Sequence, residues 1–176
     1  MAQYRGKGIL SKIVKFFTDS EYSHTAAFFP DGACFVIGDR TYVIPPRSVV
    51  EAWAGGCHIA DYSEYHHSGV QVDLFSLKDG LTVEQEVRLG EFLVKSVGKK
   101  YDYLNVLRYI PFVRLLIPTP MGTYYTRTHV YCSELVLEAF ASVRATLFER
   151  RPFWKIPPGL ASTSPLLKFE DTLTTT

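Results

Sequence analysis

Three residue types in this chain could together break an acyl bond: a thiol at Cys132, an imidazole at His24 and a carboxylate at Glu51. Cys132 opens the stretch Tyr131-Cys132-Ser133-Glu134-Leu135-Val136. Leu135, Val136, Ala139, Phe140 and Val143 recur at the helical period, which predicts an amphipathic helix running to about Arg144. The thiol then sits in the first turn. Unpaired backbone N–H groups and the positive end of the helix dipole favour an anion there, and the thiolate is the nucleophile. Taken alone, Cys132 reads more simply as a small buried apolar residue. A thiolate nucleophile needs a base, and the base needs an orienting group.

The histidines are His24, His58, His66, His67 and His129. His129 lies on the approach to the Cys132 helix, but nothing in the sequence fixes it there. His66 and His67 fall in a polar loop, and with Cys57 and His58 they match no zinc spacing. His24 differs. It begins an apolar strand, Thr25 to Phe29, where a polar ring needs a partner. A loop carbonyl would satisfy it, and so would a catalytic neighbour. Glu51 lies inside Val50-Glu51-Ala52-Trp53, a strand with no other charge. It is either an edge glutamate facing water or a paired carboxylate. If its strand neighbours that of His24, it can hold one ring nitrogen and leave the other for Cys132.

The elements that must position these groups follow from periodicity and turn chemistry. Ile9 to Phe17 is a short amphipathic helix, expected to pack on the core rather than on a membrane surface. His24–Phe29 and Ala33–Ile37 read as a hairpin across Pro30-Asp31-Gly32. Thr41 to Ile44, Ser48 to Trp53 and Val70 to Phe75 read as further strands. Thr82 and Gln85 form a capping box for a helix to about Val97, stopped by Gly98. Tyr101 to Tyr109 is a short helix. Ile110 to Pro120 is an irregular apolar connection broken by prolines. Gly122 to Thr128 is polar and aromatic, and the tail around Pro157-Pro158-Gly159-Leu160 reads as turns. The pattern is α+β: a few helices around one antiparallel sheet.

Tyr22-Ser23-His24, Val50-Glu51-Ala52-Trp53, Gly98-Lys99-Lys100-Tyr101-Asp102-Tyr103, Tyr131-Cys132-Ser133-Glu134-Leu135-Val136 and Pro158-Gly159-Leu160 occur in this order. As an ordered set they resemble the YiiX-like branch of the permuted papain-fold hydrolases, circularly permuted relatives of the NlpC cysteine peptidases. The resemblance runs from about residue 8 to 167. Here His and Glu precede Cys, as a circular permutation of the papain order would give; triads are recognised by geometry, not chain order. The resemblance implies a circularly permuted papain-like fold. It also implies Cys132 as nucleophile, His24 as base and then acid, and Glu51 as orienter, with an acyl-thioester intermediate. The N–H of Cys132 would donate to the oxyanion. Tyr22 is a second donor by position only, and Tyr22 and Tyr101 are the candidate substrate-binding residues. Asp102 reads as a helix cap. The chain departs from relatives at Thr25-Ala26-Ala27, a packing change that leaves the triad intact.

Three functions fit. The first is an amidase or peptidase, acting on a peptide such as that of a cell wall. The second is an acyl-ester hydrolase or acyltransferase, since permuted relatives include the lecithin:retinol acyltransferase group. In that case Val106 to Ile117 would line a lipid groove rather than ordinary core. The third is a non-catalytic virion or binding protein that keeps the fold. Small size and this version of the motifs also resemble phage-encoded members.

The totals limit the rest. At 176 residues the chain suits one domain, residues 1–176. A hydrophobic content of 47% with 21% charged residues is globular, and a net charge of +1 gives no global case for nucleic acid. Three cysteines, Cys34, Cys57 and Cys132, form no disulfide framework and suggest a reducing compartment. No signal peptide and no run of about 20 apolar residues is evident, so the expected location is the cytoplasm, or a particle for a phage protein. No cofactor and no metal are expected. The expected partner is a peptide or acyl substrate, with lipid contact and oligomeric state left open.

Overall fold

The computed structural model describes residues 1–64, 68–108, 110, 113, 116, 128–149 and 153–175. Its frame is a six-stranded antiparallel sheet. In chain order the strands are β1 (Ala2–Tyr4), β2 (His24–Phe29), β5 (Ser48–Trp53), β6 (Gly56–Asp61), β7 (Gln71–Leu77) and β10 (Leu167–Thr174). Across the sheet the order is β10-β7-β1-β2-β5-β6. Two small sheets complete the strands: the hairpin β3 (Ala33–Ile37) with β4 (Arg40–Ile44), and the parallel pair β8 (Lys100–Tyr101) with β9 (His129–Val130). The helices described in full are α1 (Ile9–Thr18), α2 (Val83–Ser96), α3 (Tyr103–Leu107), α4 (Cys132–Ser142) and the single turn α5 (Pro158–Ala161). The mixture is α+β, as the periodicities predict.

The hairpin expected between β2 and β3 is not the one that forms. β2 pairs β1 on one side and β5 on the other, while β3 pairs β4 outside the main sheet. Burial explains the exchange. The first four residues of β2 are all buried, so the strand needs neighbours on both edges. β3 and β4 are largely exposed and turn at Gly38, whose φ of +59° suits a tight reversal. Strands β1, β6 and β10 were not read from the sequence. β1 has three residues, all buried, too few to show a period. β10 is an edge strand with exposed Lys168, Glu170 and Asp171, and polar edges discourage further pairing.

Helix α4 lies against β2, β5 and α2. It is buried nearly all round, Cys132 through Leu137 together with Ala139 and Phe140, so it is a core helix rather than the expected amphipathic one. α2 begins on the expected capping box: Thr82 accepts from the Gln85 N–H, and Gln85 accepts from the Thr82 N–H. The Gln85 side chain also donates to the Val143 carbonyl at 3.0 Å, tying the start of α2 to the end of α4. Helix α1 does not pack as expected either. Only Val14 is buried, and its other apolar side chains face outward.

The Pro158-Gly159-Leu160 motif has a steric reason. A Cβ on Gly159 would lie 1.7 Å from the Ser20 Oγ and 2.3 Å from its Cβ. The glycine therefore lets α5 abut the segment that leads into His24. Gln3 donates to the Pro158 carbonyl at 2.9 Å and accepts from the Thr25 hydroxyl at 3.0 Å, fastening α5 to β1 and β2 from beneath. Gly159→Ala is expected to lower the free energy of unfolding by about 1–3 kcal/mol in urea denaturation. Adding Ser20→Gly should recover part of that loss, because it removes the atoms the new methyl meets.

Candidate active site

Glu51 sits on β5, between the two strands that carry its partners. On β2, His24 meets Glu51 Oε2 through Nε2 at 2.6 Å. On β6, His58 lies directly opposite Glu51 in the ladder, with Nε2 3.4 Å from Oε1. The carboxylate is 0% exposed and His24 is 2% exposed, so this contact is removed from water. A buried carboxylate survives only where donors surround it.

The His24 ring is also held by shape. Tyr4 is its cross-strand partner, with ring centroids 5.3 Å apart, and Trp53 meets it edge-on at 4.9 Å. With Nε2 committed to Glu51, Nδ1 is the nitrogen that can serve Cys132, which acts electrostatically on the ring. Burial alone would lower the basicity of His24. The negative charge of Glu51 and the neighbouring Cys132 outweigh it and raise the pKa to about 9.

Cys132 occupies the first position of α4, as the spacing predicts. Its N-cap, Tyr131, supplies no side-chain acceptor, so no cap consumes the first-turn N–H groups. Instead, the end is clamped from outside. The Tyr131 hydroxyl donates to the carbonyls of Phe153 and Ile156, and the Ser133 hydroxyl donates to that of Ile156 at 2.6 Å. Cys132 is 3% exposed and packs with Val14 of α1, Val106 of α3 and Tyr131.

The other sequence candidates divide. Tyr101 packs against this same cluster, edge-on to Tyr103 at 4.9 Å. Tyr22 does not present its hydroxyl there. It donates to Asp73 Oδ2 at 2.5 Å, and Asp73 also accepts from Arg5 and Thr172. Asp73 is the ladder partner of Gln3, one residue out of phase with the Val72–Tyr4–His24 row and so on the opposite face. Asp102 caps α3, its carboxylate accepting from the Asn105 N–H at 3.0 Å. His129 meets the Thr128 hydroxyl at 2.9 Å. His66 and His67 lie outside the described residues. Among the described residues, no three His, Cys, Asp or Glu side chains converge to hold a metal ion. Burial pushes the Cys57 thiol up to about 12, which leaves it as packing beside β5.

His58 is the site residue that sequence reasoning missed. Its Nδ1 lies 3.0 Å from the Gly56 carbonyl while Nε2 faces Glu51. A ring with an acceptor at each nitrogen is satisfied only when both carry protons. Accordingly, the bond to Glu51 raises its pKa, ahead of a smaller opposing effect of burial. The available signal is the strand Gly56–Asp61 itself, which follows β5 across a tight turn and so places His58 opposite Glu51.

A second buried acid lies in the first turn of α4. Burial, then Glu138 and Asp102, raise Glu134 to about 8, against a usual value of 4.5. A raised carboxyl binds its proton more tightly in the folded state, so it stabilises the fold below pH 4.5 and loses that contribution as pH climbs through 8. Glu134→Gln cannot titrate. The melting temperature of the variant relative to wild type is therefore expected to rise steadily between those two pH values and to level off above them. A flat difference would show that Glu134 has an ordinary pKa.

Comparison with known proteins adds two findings. A family model described as permuted papain-like amidase enzyme, YaeF/YiiX, C92 family, matches residues 8–156. The crystal structure of the metalloprotein YiiX from Escherichia coli O157:H7 superimposes with a TM-score of 0.60. It covers 98% of this chain and 94% of that one at 17% identity, a likeness of fold. No curated protein matches the chain in sequence.

Proposed function

This chain belongs to the permuted papain-like amidases of the YaeF/YiiX, C92 family, and on that premise we propose that Cys132, His24 and Glu51 form its catalytic triad. The family makes it a thiol-dependent amidase-type hydrolase. The observation that supports the triad is the buried His24 ring, held by Glu51 at 2.6 Å through Nε2, with Cys132 near enough to raise its basicity.

The steps follow from that arrangement. His24 takes the thiol proton, and Sγ of Cys132 attacks the carbonyl carbon of the amide. The carbonyl oxygen becomes an oxyanion at the start of α4, where the Cys132 N–H donates to it. His24 passes its proton to the leaving nitrogen, the C–N bond breaks, and an amine departs. The acyl group is then a thioester on Cys132. Water attacks it, giving its proton to His24. The C–S bond breaks, a carboxylic acid leaves, and the proton returns to sulfur. Glu51 keeps the imidazolium in place by its charge and fixes the ring so that Nδ1 faces the thiol. His58 and the sheet hold Glu51 from the other side.

The neighbouring fold is that of a protein called a metalloprotein. The described residues of this chain offer no three-ligand group for such an ion, and no step above passes through one.

The substrate is an amide joined to a peptide or an acyl chain. Incubation with cell-wall peptide fragments and with acyl amides, followed by mass spectrometry, is expected to reveal a cleavage that needs Cys132. An electrophilic amide probe should label Cys132 in wild type and lose that labelling by at least about a hundredfold in His24→Ala. Equal labelling of the two proteins would remove His24 from the mechanism.

The pH profile supplies an independent test. His24 must carry a proton to release the amine, so the rate is expected to fall on the alkaline side near its pKa of about 9. Glu51 raises that value. Glu51→Gln should therefore move the alkaline limb toward lower pH and reduce the rate by roughly 10²–10⁴. A limb that stays in place would show that Glu51 does not act on His24.

A further inference from the structure

The orientation of α1 is the reverse of what a surface helix normally adopts. Successive residues are about 100° apart around a helix, so Ser11, Val14 and Thr18 share one narrow side. That side rests on the protein: Val14 is buried and the other two are half-buried. Ile9, Ile13, Phe16 and Phe17, with Leu10, share the wide side that points away. Ile9 is 81% and Phe16 78% exposed. Lys12 and Lys15 border this apolar face, Lys7 precedes it, and the helix itself carries no acidic residue. A globular helix buries such a stripe, and a contiguous exposed one marks an interaction surface.

Isolated exposed apolar side chains, such as Val83 on α2, need no such account. The neighbourhood of α1 does. Its one buried residue, Val14, packs with Val106 of α3, and α3 turns Leu104 and Leu107 outward. Two adjoining helices thus present apolar side chains to the outside, beside the cluster that contains Cys132.

We propose that α1 docks the protein onto an anionic lipid bilayer, its Ile9–Ile13–Phe16–Phe17 face entering the headgroup boundary and Lys12 and Lys15 meeting the lipid charge. The occupant follows from the pairing of an apolar stripe with bordering lysines. An apolar protein partner has no use for the lysines, and a purely electrostatic partner has no use for two exposed phenylalanines. Helices of this composition lie in the plane of a membrane surface with the apolar side down, and each lysine near an anionic surface adds attraction that salt screens. Docked in this way, α1 brings Cys132 close to the bilayer.

Co-sedimentation of the protein with vesicles tests the proposal. Vesicles of phosphatidylcholine and phosphatidylglycerol in roughly three-to-one proportion are expected to bind it, and pure phosphatidylcholine vesicles much less. Ile9→Asp with Phe16→Asp should abolish binding while leaving the melting temperature unchanged, because both side chains are already in water. Lys12→Glu and Lys15→Glu should each weaken binding roughly fivefold or more, and added salt should weaken it further. Cys132→Ala should bind as wild type does, so the docking stands or falls apart from the triad. The proposal is overturned if no vesicle binds. It is overturned too if both vesicle types bind equally, or if light scattering shows a dimer that Phe16→Asp dissolves, which would make this face an interface between two copies.

Discussion

A carboxylate with no access to water has to find its donors inside the protein, and Glu51 is such a group. In a low-dielectric interior an unpaired charge would cost several kcal/mol, more than most single contacts return. Two imidazoles supply the donors, one from each strand flanking β5. That requirement constrains the register of three strands at once. A slip of one residue in β2 or β6 would turn a histidine to the other face and strand the charge. The same pairing raises the basicity of His24, so the force that holds the sheet in register also prepares the base proposed for the reaction.

Cys132, the proposed nucleophile, is positioned by a different means. Helix α4 is enclosed on nearly every side, and its first turn is gripped by carbonyls of the Phe153–Ile156 segment. Its N-terminal N–H groups are not spent on a cap, which leaves a fixed set of donors at the place where negative charge develops during acyl transfer. The Pro158–Ala161 turn, seated against Ser20 and fastened through Gln3 and Thr25, holds the other half of the site at the same end of the sheet.

Much of this was legible in the sequence wherever side-chain chemistry was local. The Thr82–Gln85 box, the helix beginning at Cys132, the strand bearing Glu51 and the Asp102 cap all rest on neighbours within a few residues. What could not be read depends on distant partners. β1 is too short to show a period, and β10 resembles a loop because an edge strand has only one neighbour to satisfy. β2 and β3 have the spacing of a hairpin, but the burial of β2 on both faces commits it to β1 and β5. His58 was hidden because its importance lies across the ladder, opposite Glu51. For α1 the amphipathic pattern was correct and its direction was not, since periodicity gives a stripe without saying which side meets the protein.

The strand order carries a kinetic consequence. β1, from the first few residues, lies between β2 and β7, and β7 is in turn covered by β10 from the end of the sequence. The helix that begins at Cys132 packs on the strand that begins at His24, from a distant part of the chain. Sheets dominated by such non-local pairings fold slowly, because loop-closure entropy is lost before the contacts form. During synthesis, β7 (Gln71–Leu77) waits for its outer neighbour until Leu167–Thr174 has emerged. The full sheet is therefore a late product of folding, and a ribosome-bound nascent chain that stops short of Leu167 lacks one of its edges.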